Sequence, residues 1–365
     1  MKEEITSLEL KYATIELQEL IGGRIDKIYQ LDREFLLTMH VRVKGRKRLK
    51  IMSNAVYLTD YKEEFPETPP GFCAFLRKRL NGSIIKSIEQ KNFERILEIK
   101  FEAKEQNYVM IIELFAQGNV VLCSEDYKII SALESHKWKD RTVRGGIEYE
   151  FPPTQTNVTE MNHKEFVDTI KNSDMDSIVK TLAVNMGLGG LYAEELCVLS
   201  GIDKTKEKIS PGDTKKLYDN LQKLLKKKLK PNMVDKEILP FELKSLKKAE
   251  KYFETFSEAM DSKFSKKMIA SHSNKSEEKK NVELKKIQAI IDQQEKTIKG
   301  LEISDVENTK KGEFIYENYE KIKKILDDMN IARDKFSWEE IKEELKNHKI
   351  IKQVNEKEGT IVIDV

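Results

Sequence analysis

The sequence predicts an α+β protein: a mainly antiparallel β/α domain over residues 1–153, a helix-hairpin-helix domain over 154–230, and an antiparallel coiled-coil middle domain over 231–365. Three observations predict this. Helical and strand-like runs follow one another in the first segment without the regular βαβ order of a parallel sheet. Gly187, Gly189 and Gly190 then crowd a single turn between two helical patterns. Beyond residue 280, apolar residues recur at heptad spacing in a background of Lys and Glu.

Thr6 and Glu9 have the capping-box spacing, and Leu8, Tyr12 and Ile15 follow at helical intervals, so a helix opens the chain and Gly22-Gly23 ends it. Strand-like runs come next at Phe35 to Val43, Leu49 to Met52 and Ala55 to Thr59. Pro69-Pro70 opens a second helix in which Phe72, Phe75, Leu76 and Leu80 share a face, and Gly82 closes it. Further strands are expected at Phe93 to Phe101, Tyr108 to Phe115 and Val120 to Cys123.

The glycine turn admits two readings: a helix-hairpin-helix whose backbone amides meet a nucleic-acid phosphate, or an αα-corner packed on its neighbours. Leu284, Ile287, Ile291, Ile298 and Leu301 form one heptad run, and Ile315, Tyr319, Ile322, Leu326 and Met329 a second. A polar region from Gly300 to Gly312 separates them, which predicts a turn and an antiparallel hairpin. Phe253, Phe256, Met260 and Phe264 are expected to attach the first arm to the globular part. The alternating β-branched run 359–365 is expected either to pair back on the sheet or to mark a chain cut short.

Charged residues make up 35 % of the chain and hydrophobic ones 39 %, enough for a core, so the excess charge belongs on solvated helices. The net charge of +2 hides an uneven distribution. Arg42 to Lys50 holds six basic residues and no acid. Arg77, Lys78 and Arg79 sit together on the second helix, and Lys137, Lys139, Arg141 and Arg144 surround Trp138. Residues 204–230 carry ten lysines against Glu207, Asp213 and Asp219. One such run reads as a solvated face; several beside a glycine hairpin point to a phosphate-rich partner.

Other functions find little support. Cys73, Cys123 and Cys197 form no CxxC, which argues against a disulfide framework or a cysteine-based zinc site. There is no Walker A, GxSxG or HExxH, and His40, His136, His163, His272 and His348 are scattered, so no catalytic residue, metal or cofactor is expected. The opening MKEEITSLELKY has no apolar h-region, and no stretch has the length of a membrane span, so a soluble cytoplasmic protein is expected.

Six blocks in order, MKEEITSLELKYATIELQELIGGRIDKIYQ, TPPGFCAFLRKRLNGSII, FERIL, ELFAQGNVVL, MGLGGLYAEELC and KGEFIYENYEKI, closely resemble the NFACT family of ribosome quality-control factors, called NEMF in animals and RqcH in bacteria. Older usage calls the same family fibronectin-binding protein A. The resemblance implies an NFACT-N domain, a helix-hairpin-helix domain and a coiled-coil middle domain, with the family's RNA-binding NFACT-R domain beyond Val365. It implies a non-enzymatic factor that binds a large ribosomal subunit obstructed by peptidyl-tRNA. Such a factor recruits aminoacyl-tRNA, and the ribosome then extends the stalled chain at its C-terminus without mRNA.

The family's tRNA-engaging motif falls on Glu9, Glu94 and Arg95, each acid being Glu where Asp is usual. From the residues alone, Glu9 is equally a capping-box carboxylate. Glu94 and Arg95 fall on an expected strand, where Arg95 shares a face with Phe93, Leu97, Ile99 and Phe101 and needs a carboxylate partner or an exit to the sheet's end; Glu9 is the candidate partner. Arg77, Lys78, Arg79, Arg141 and Arg144 would contact tRNA phosphates, and the hairpin amides at Gly187, Gly189 and Gly190 would add backbone contacts. The run 204–230 faces ribosomal RNA or solvent, and a homodimer is left open. Two rivals are a DNA-repair glycosylase, which would need an N-terminal proline that Met1-Lys2-Glu3 does not supply, and a fibronectin-binding adhesin, which would need export.

Overall fold

In the computed structural model Thr6 closes a capping box at the start of α1 (Ser7–Leu17). The Glu9 amide donates to the Thr6 hydroxyl at 3.2 Å, and the Thr6 amide donates to the Glu9 carboxylate at 2.8 Å. The structure describes residues 4–61, 65–138, 141–153, 157–346, 349–355 and 358–363, with the backbone alone for 265–283.

After α1 come β1 (Arg24–Leu31), β2 (Glu34–Val41), β3 (Gly45–Ile51) and β4 (Val56–Leu58), then α2 (Gly71–Leu80). A second set follows: β5 (Ile84–Gln90), β6 (Ile96–Glu102), β7 (Tyr108–Glu113), β8 (Asn119–Ser124) and β9 (Ile129–Ala132). All nine form one antiparallel sheet in the order β4-β3-β2-β1-β5-β6-β7-β8-β9. The two halves repeat each other sixty positions apart: Leu20 and Leu80, Gly22 and Gly82, Ile25 and Ile85, Ile28 and Ile88, Gln30 and Gln90.

Their seam is reciprocal. The Gly22 amide donates to Ile85 O at 2.9 Å and the Gly82 amide to Ile25 O at 2.8 Å; Ile25 N donates to Ser83 O and Ile85 N to Gly23 O. Both strands also carry a bulge at the same place, between Ile25 and Lys27 and between Ile85 and Ser87. A bulge inserts one residue, so Ile25 and Ile28, three apart, are both buried, as are Ile85 and Ile88. That broken alternation is why β1 and β5 escape a search for period-two runs.

The expected strand Phe93 to Phe101 starts later, at Ile96. Asn92 and Phe93 adopt positive φ (+49 and +58), and Glu94 N donates to Lys91 O at 2.7 Å, so Glu94 and Arg95 lie in the β5–β6 turn and not on a strand. β7 is buried on both faces: Met110 and Ile112 join the main core, Val109 and Ile111 a second cluster with Val121, Val143 and Tyr149. A short hairpin, β10 (His136–Lys137) with β11 (Thr142–Val143), sits beyond β9.

The helical part comprises α3 (His163–Lys171), α4 (Ile178–Lys180), a π-helical turn (Thr181–Asn185), α5 (Gly190–Ser200) and α6 (Pro211–Leu225). A small sheet follows, of β12 (Asn232–Val234), β13 (Glu237–Leu239) and β14 (Lys251–Tyr252). The chain forms two units, 1–272 and 273–365, so positions 153 and 230 both fall inside the first. One core joins Leu8, Phe101, Leu196, Leu221, Phe241 and Phe256, from all three stretches of sequence. Phe253, Phe256, Met260 and Phe264 are buried at its edge, with Phe264 stacked on Tyr57 at 5.9 Å.

α7 (Phe256–Glu317) runs unbroken through Gly300 and Gly312, so the expected turn there does not form; the helix breaks at Asn318, before α8 (Tyr319–Lys335). A helical glycine costs only about 1 kcal/mol relative to alanine, and these two stand among strong helix formers. The two heptad runs moreover share one phase. Leu284, Ile291, Ile298, Tyr319 and Leu326 differ by multiples of seven, as do Ile287, Leu301, Ile315, Ile322 and Met329. They keep one heptad register in the sequence, and the residues of the first run, Leu284 to Leu301, are exposed. The second unit ends with α9 (Trp338–Leu345), β15 (Ile351–Asn355) and β16 (Thr360–Ile363). The terminal run pairs with β15 in a local hairpin and not with the nine-stranded sheet; residues 364–365 lie outside the described residues.

Candidate nucleic-acid interface

α2 ends in Arg77, Lys78 and Arg79, and none of the three has a carboxylate partner among the described residues. Each is nonetheless held or presented differently. Arg77 donates from Nε to Ile28 O at 2.5 Å and lies 5.4 Å from the Tyr29 ring centroid. The Arg79 guanidinium covers the Phe75 ring at 3.6 Å, one helical turn back. Lys78 is exposed. The two aromatic-backed arginines, with little conformational entropy left to lose, and the exposed lysine make a small cationic surface.

The cluster around Trp138 divides. Arg144 and Lys137 are exposed and carry no ion pair among the described residues, while Lys139 lies outside those residues. Arg141 does not reach solvent. Its Nη1 donates to Glu113 Oε1 at 2.7 Å, to the Tyr149 hydroxyl at 3.3 Å and to Glu150 O at 3.4 Å. The side chains of Arg141 and Glu113 are 6 % and 3 % exposed, which removes Arg141 from the phosphate contacts that its sequence position suggests. A carboxylate on doubly buried β7 demands a counter-charge, and the β10–β11 hairpin supplies it. Burial works against the Arg141 cation, but the hydrogen bond and charge of Glu113 outweigh it and raise its pKa. Burial and then the Glu113 charge push the Tyr149 hydroxyl far above its ordinary value.

Glu9 is also buried, at 2 % exposure. Beyond the capping box, its Oε1 accepts from the Tyr192 hydroxyl on α5 at 2.9 Å. Burial, and next the nearby Glu9 charge, raise the Tyr192 pKa well above the usual tyrosine value. The expected Arg95–Glu9 pair does not form: Arg95, once off the strand, lies at the sheet's margin and pairs with Glu4. A groove of about 440 Å³ lies between α1 and the β5–β6 turn, lined by Lys11, Gln18, Lys91, Asn92, Phe93 and Asn157, and Glu94 and Arg95 follow Phe93 in that turn. No sequence signal marked this groove, because Asn157 comes from a loop far along the chain.

In the glycine hairpin, Gly187 N donates to Val184 O, Leu188 N to Leu182 O and Gly189 N to Ala183 O. The amides at Gly187 and Gly189 are therefore engaged within the turn, while Gly190 opens α5. Gly189 has φ +74 and ψ 158, and a Cβ there would stand 3.1 Å from the Thr6 methyl, so the hairpin packs directly on the α1 cap. Gly189→Ala is expected to cost about 1–3 kcal/mol, the strain of a backbone region that only glycine adopts readily. Urea denaturation reads it, and a wild-type midpoint would refute the tight packing.

The other basic runs differ in how far they are neutralised. In Arg42 to Lys50 the fold brings in the missing acids: Lys47 and Lys44 pair with Glu19, Arg46 with Asp26 at 2.7 Å, and buried Lys50 with Glu34 at 2.8 Å. Between 204 and 230, Lys204, Lys216 and Lys230 have carboxylate partners, whereas Lys206, Lys208, Lys215, Lys223, Lys226 and Lys228 are exposed without one among the described residues. No group of three or more potential metal ligands occurs among the described residues, and no helix there is long and apolar enough to cross a membrane.

Residues 6–329 match the family described as NFACT N-terminal and middle domains. The archaeal Rqc2 homolog aRqcH of Methanocaldococcus jannaschii is 33 % identical over 391 aligned positions, covering all of this chain and 58 % of that protein. The human ribosome quality control complex subunit NEMF is 23 % identical, covering 93 % of this chain and 35 % of the relative. The chain therefore spans between a third and three fifths of the length of these relatives. Among solved structures, the N-terminal part of the fibronectin/fibrinogen-binding protein from Streptococcus suis superposes with a TM-score of 0.62 at 25 % identity, over 72 % of this chain and all of that one. With the family match running across both the nine-stranded sheet and the whole of the long helix, the chain belongs to the NFACT family.

Proposed function

We propose that this chain is the subunit- and tRNA-engaging part of a ribosome quality-control factor. It binds large ribosomal subunits obstructed by peptidyl-tRNA and recruits tRNA for mRNA-independent C-terminal tailing of the stalled chain. The observation that carries this reading is the similarity along the whole chain to a protein named as an Rqc2 homolog. The cations of α2, Arg144, and the lysines between 206 and 228 other than Lys216, exposed or without a carboxylate partner among the described residues, support a polyanionic partner. Peptide-bond chemistry stays with the ribosome, and the factor itself catalyses nothing. Glu94 and Arg95, in the β5–β6 turn, are the side chains assigned to selective contact with tRNA, while Glu9 acts from inside the fold.

Co-sedimentation with large subunits across a salt series, with sequencing of the bound tRNA, tests this. Recovery should fall steeply with salt and enrich a narrow tRNA set. Neutralising Arg77, Lys78 and Arg79 together should flatten the logarithmic salt slope by about 1 for each cation that meets a phosphate. A chain that ignores subunits at every salt concentration but binds fibronectin would move the reading to adhesion, the property in the name of the S. suis structure.

A further inference from the structure

We propose that Trp138 is a stacking platform for an unpaired RNA base, with Arg141 as the positioning residue beneath it; this rests on the RNA-binding reading above and deepens it. Trp138 is 42 % exposed at the end of β10, an unusual place for an indole. Its ring is not loose. The Arg141 guanidinium lies over it at 4.5 Å from the centroid, and the His136 ring leans on it at 5.0 Å and 41°. Arg141 is itself pinned by Glu113, Tyr149 and the Glu150 carbonyl, and Trp138 N donates to Arg141 O at 2.8 Å.

A buried ion pair thus holds a tryptophan ring at the surface with a cation behind one face, His136 leaning on it, and 42 % of the residue left exposed. Flanking Lys137 and Arg144 are exposed and unpaired among the described residues, so the surround suits a polyanion. A phosphate alone would not use the ring, because the indole offers one N–H and a flat uncharged face. A nucleobase would, and only an unpaired base exposes its face for stacking. The division of labour follows: Lys137 and Arg144 meet backbone phosphates, and Trp138 meets the base.

The chain has two tryptophans, so Trp338→Phe leaves Trp138 as the sole tryptophan, excited selectively at the red edge beyond tyrosine absorption. Titrated with a short oligouridine, it should show saturable quenching that weakens with salt. Trp138→Leu should reduce oligouridine affinity about tenfold and Trp138→Phe should restore most of it, whereas affinity for a blunt RNA duplex should change by about twofold or less. Arg141→Lys keeps a counter-charge for Glu113 but loses the planar guanidinium; it should red-shift Trp138 emission and lose part of the oligouridine affinity. Unquenched emission, or wild-type affinity in Trp138→Leu, with tRNA still bound, would overturn the stacking platform and leave the proposed function standing. Unchanged emission and affinity in Arg141→Lys would remove Arg141 from its role. Failure to bind any RNA would take down both readings.

Discussion

Arg141→Met is expected to destabilise the first unit by about 3–5 kcal/mol, read as a lowered urea midpoint. The size follows from what is left behind. Glu113 is 3 % exposed on a strand covered on both faces, and methionine fills the volume of arginine without its charge. The Tyr149 hydroxyl still donates to Glu113 Oε1 at 2.7 Å, but one neutral donor does not replace a guanidinium. Glu113→Gln with Arg141→Met should recover much of the loss, because the unpaired charge is gone, and the coupling between the two substitutions should approach the pair's full effect. Arg144→Ala, at an exposed position, should leave the midpoint within about 0.5 kcal/mol of wild type. Equal small effects from Arg141 and Arg144 would mean that the hairpin is not anchored through Glu113.

How much of this was legible in the sequence depends on whether the cause was local. The α1 cap was legible because Thr6 and Glu9 are three residues apart and the capping box is made by those residues alone. Gly22, Gly82 and the helix each terminates were legible for the same reason. β1 and β5 were not, since a bulge converts their buried spacing from two to three, which imitates neither a regular strand nor a helix. The sixty-residue repeat between them was present in the letters, but only the reciprocal bonds at the seam give it meaning. Charges were read least well. RVKGRKRLK looked like a binding surface until Glu19, Asp26 and Glu34 arrived from neighbouring elements, and Arg141 looked equivalent to Arg144 until Glu113 appeared beneath it. A run of sequence names its cations; only the fold names their counter-ions.

Glu9→Ala is the second large expected effect, about 2–4 kcal/mol. It combines loss of the helix cap, about 0.5–2 kcal/mol, with loss of the hydrogen bond that the buried Tyr192 hydroxyl makes to a charged carboxylate, about 1.5–3 kcal/mol. The carboxylate spans two elements: Oε2 takes the Thr6 amide and Oε1 takes Tyr192 from the helix that follows the glycine hairpin. It therefore brackets α5 against α1, beside the point where Gly189 meets Thr6. Glu9→Asp separates this role from direct recognition. The charge survives, but a chain shorter by one methylene cannot reach both partners, so stability should fall by about 1 kcal/mol. If Glu9 serves tRNA by charge, the aspartate variant should recruit tRNA as the wild type does, and Tyr192→Phe should be silent. If it serves by holding the glycine hairpin in place, Glu9→Asp and Tyr192→Phe should weaken recruitment together, in the order of their stability losses. The second pattern is expected, because a carboxylate that is 2 % exposed and already engaged at both oxygens has no surface to offer a tRNA.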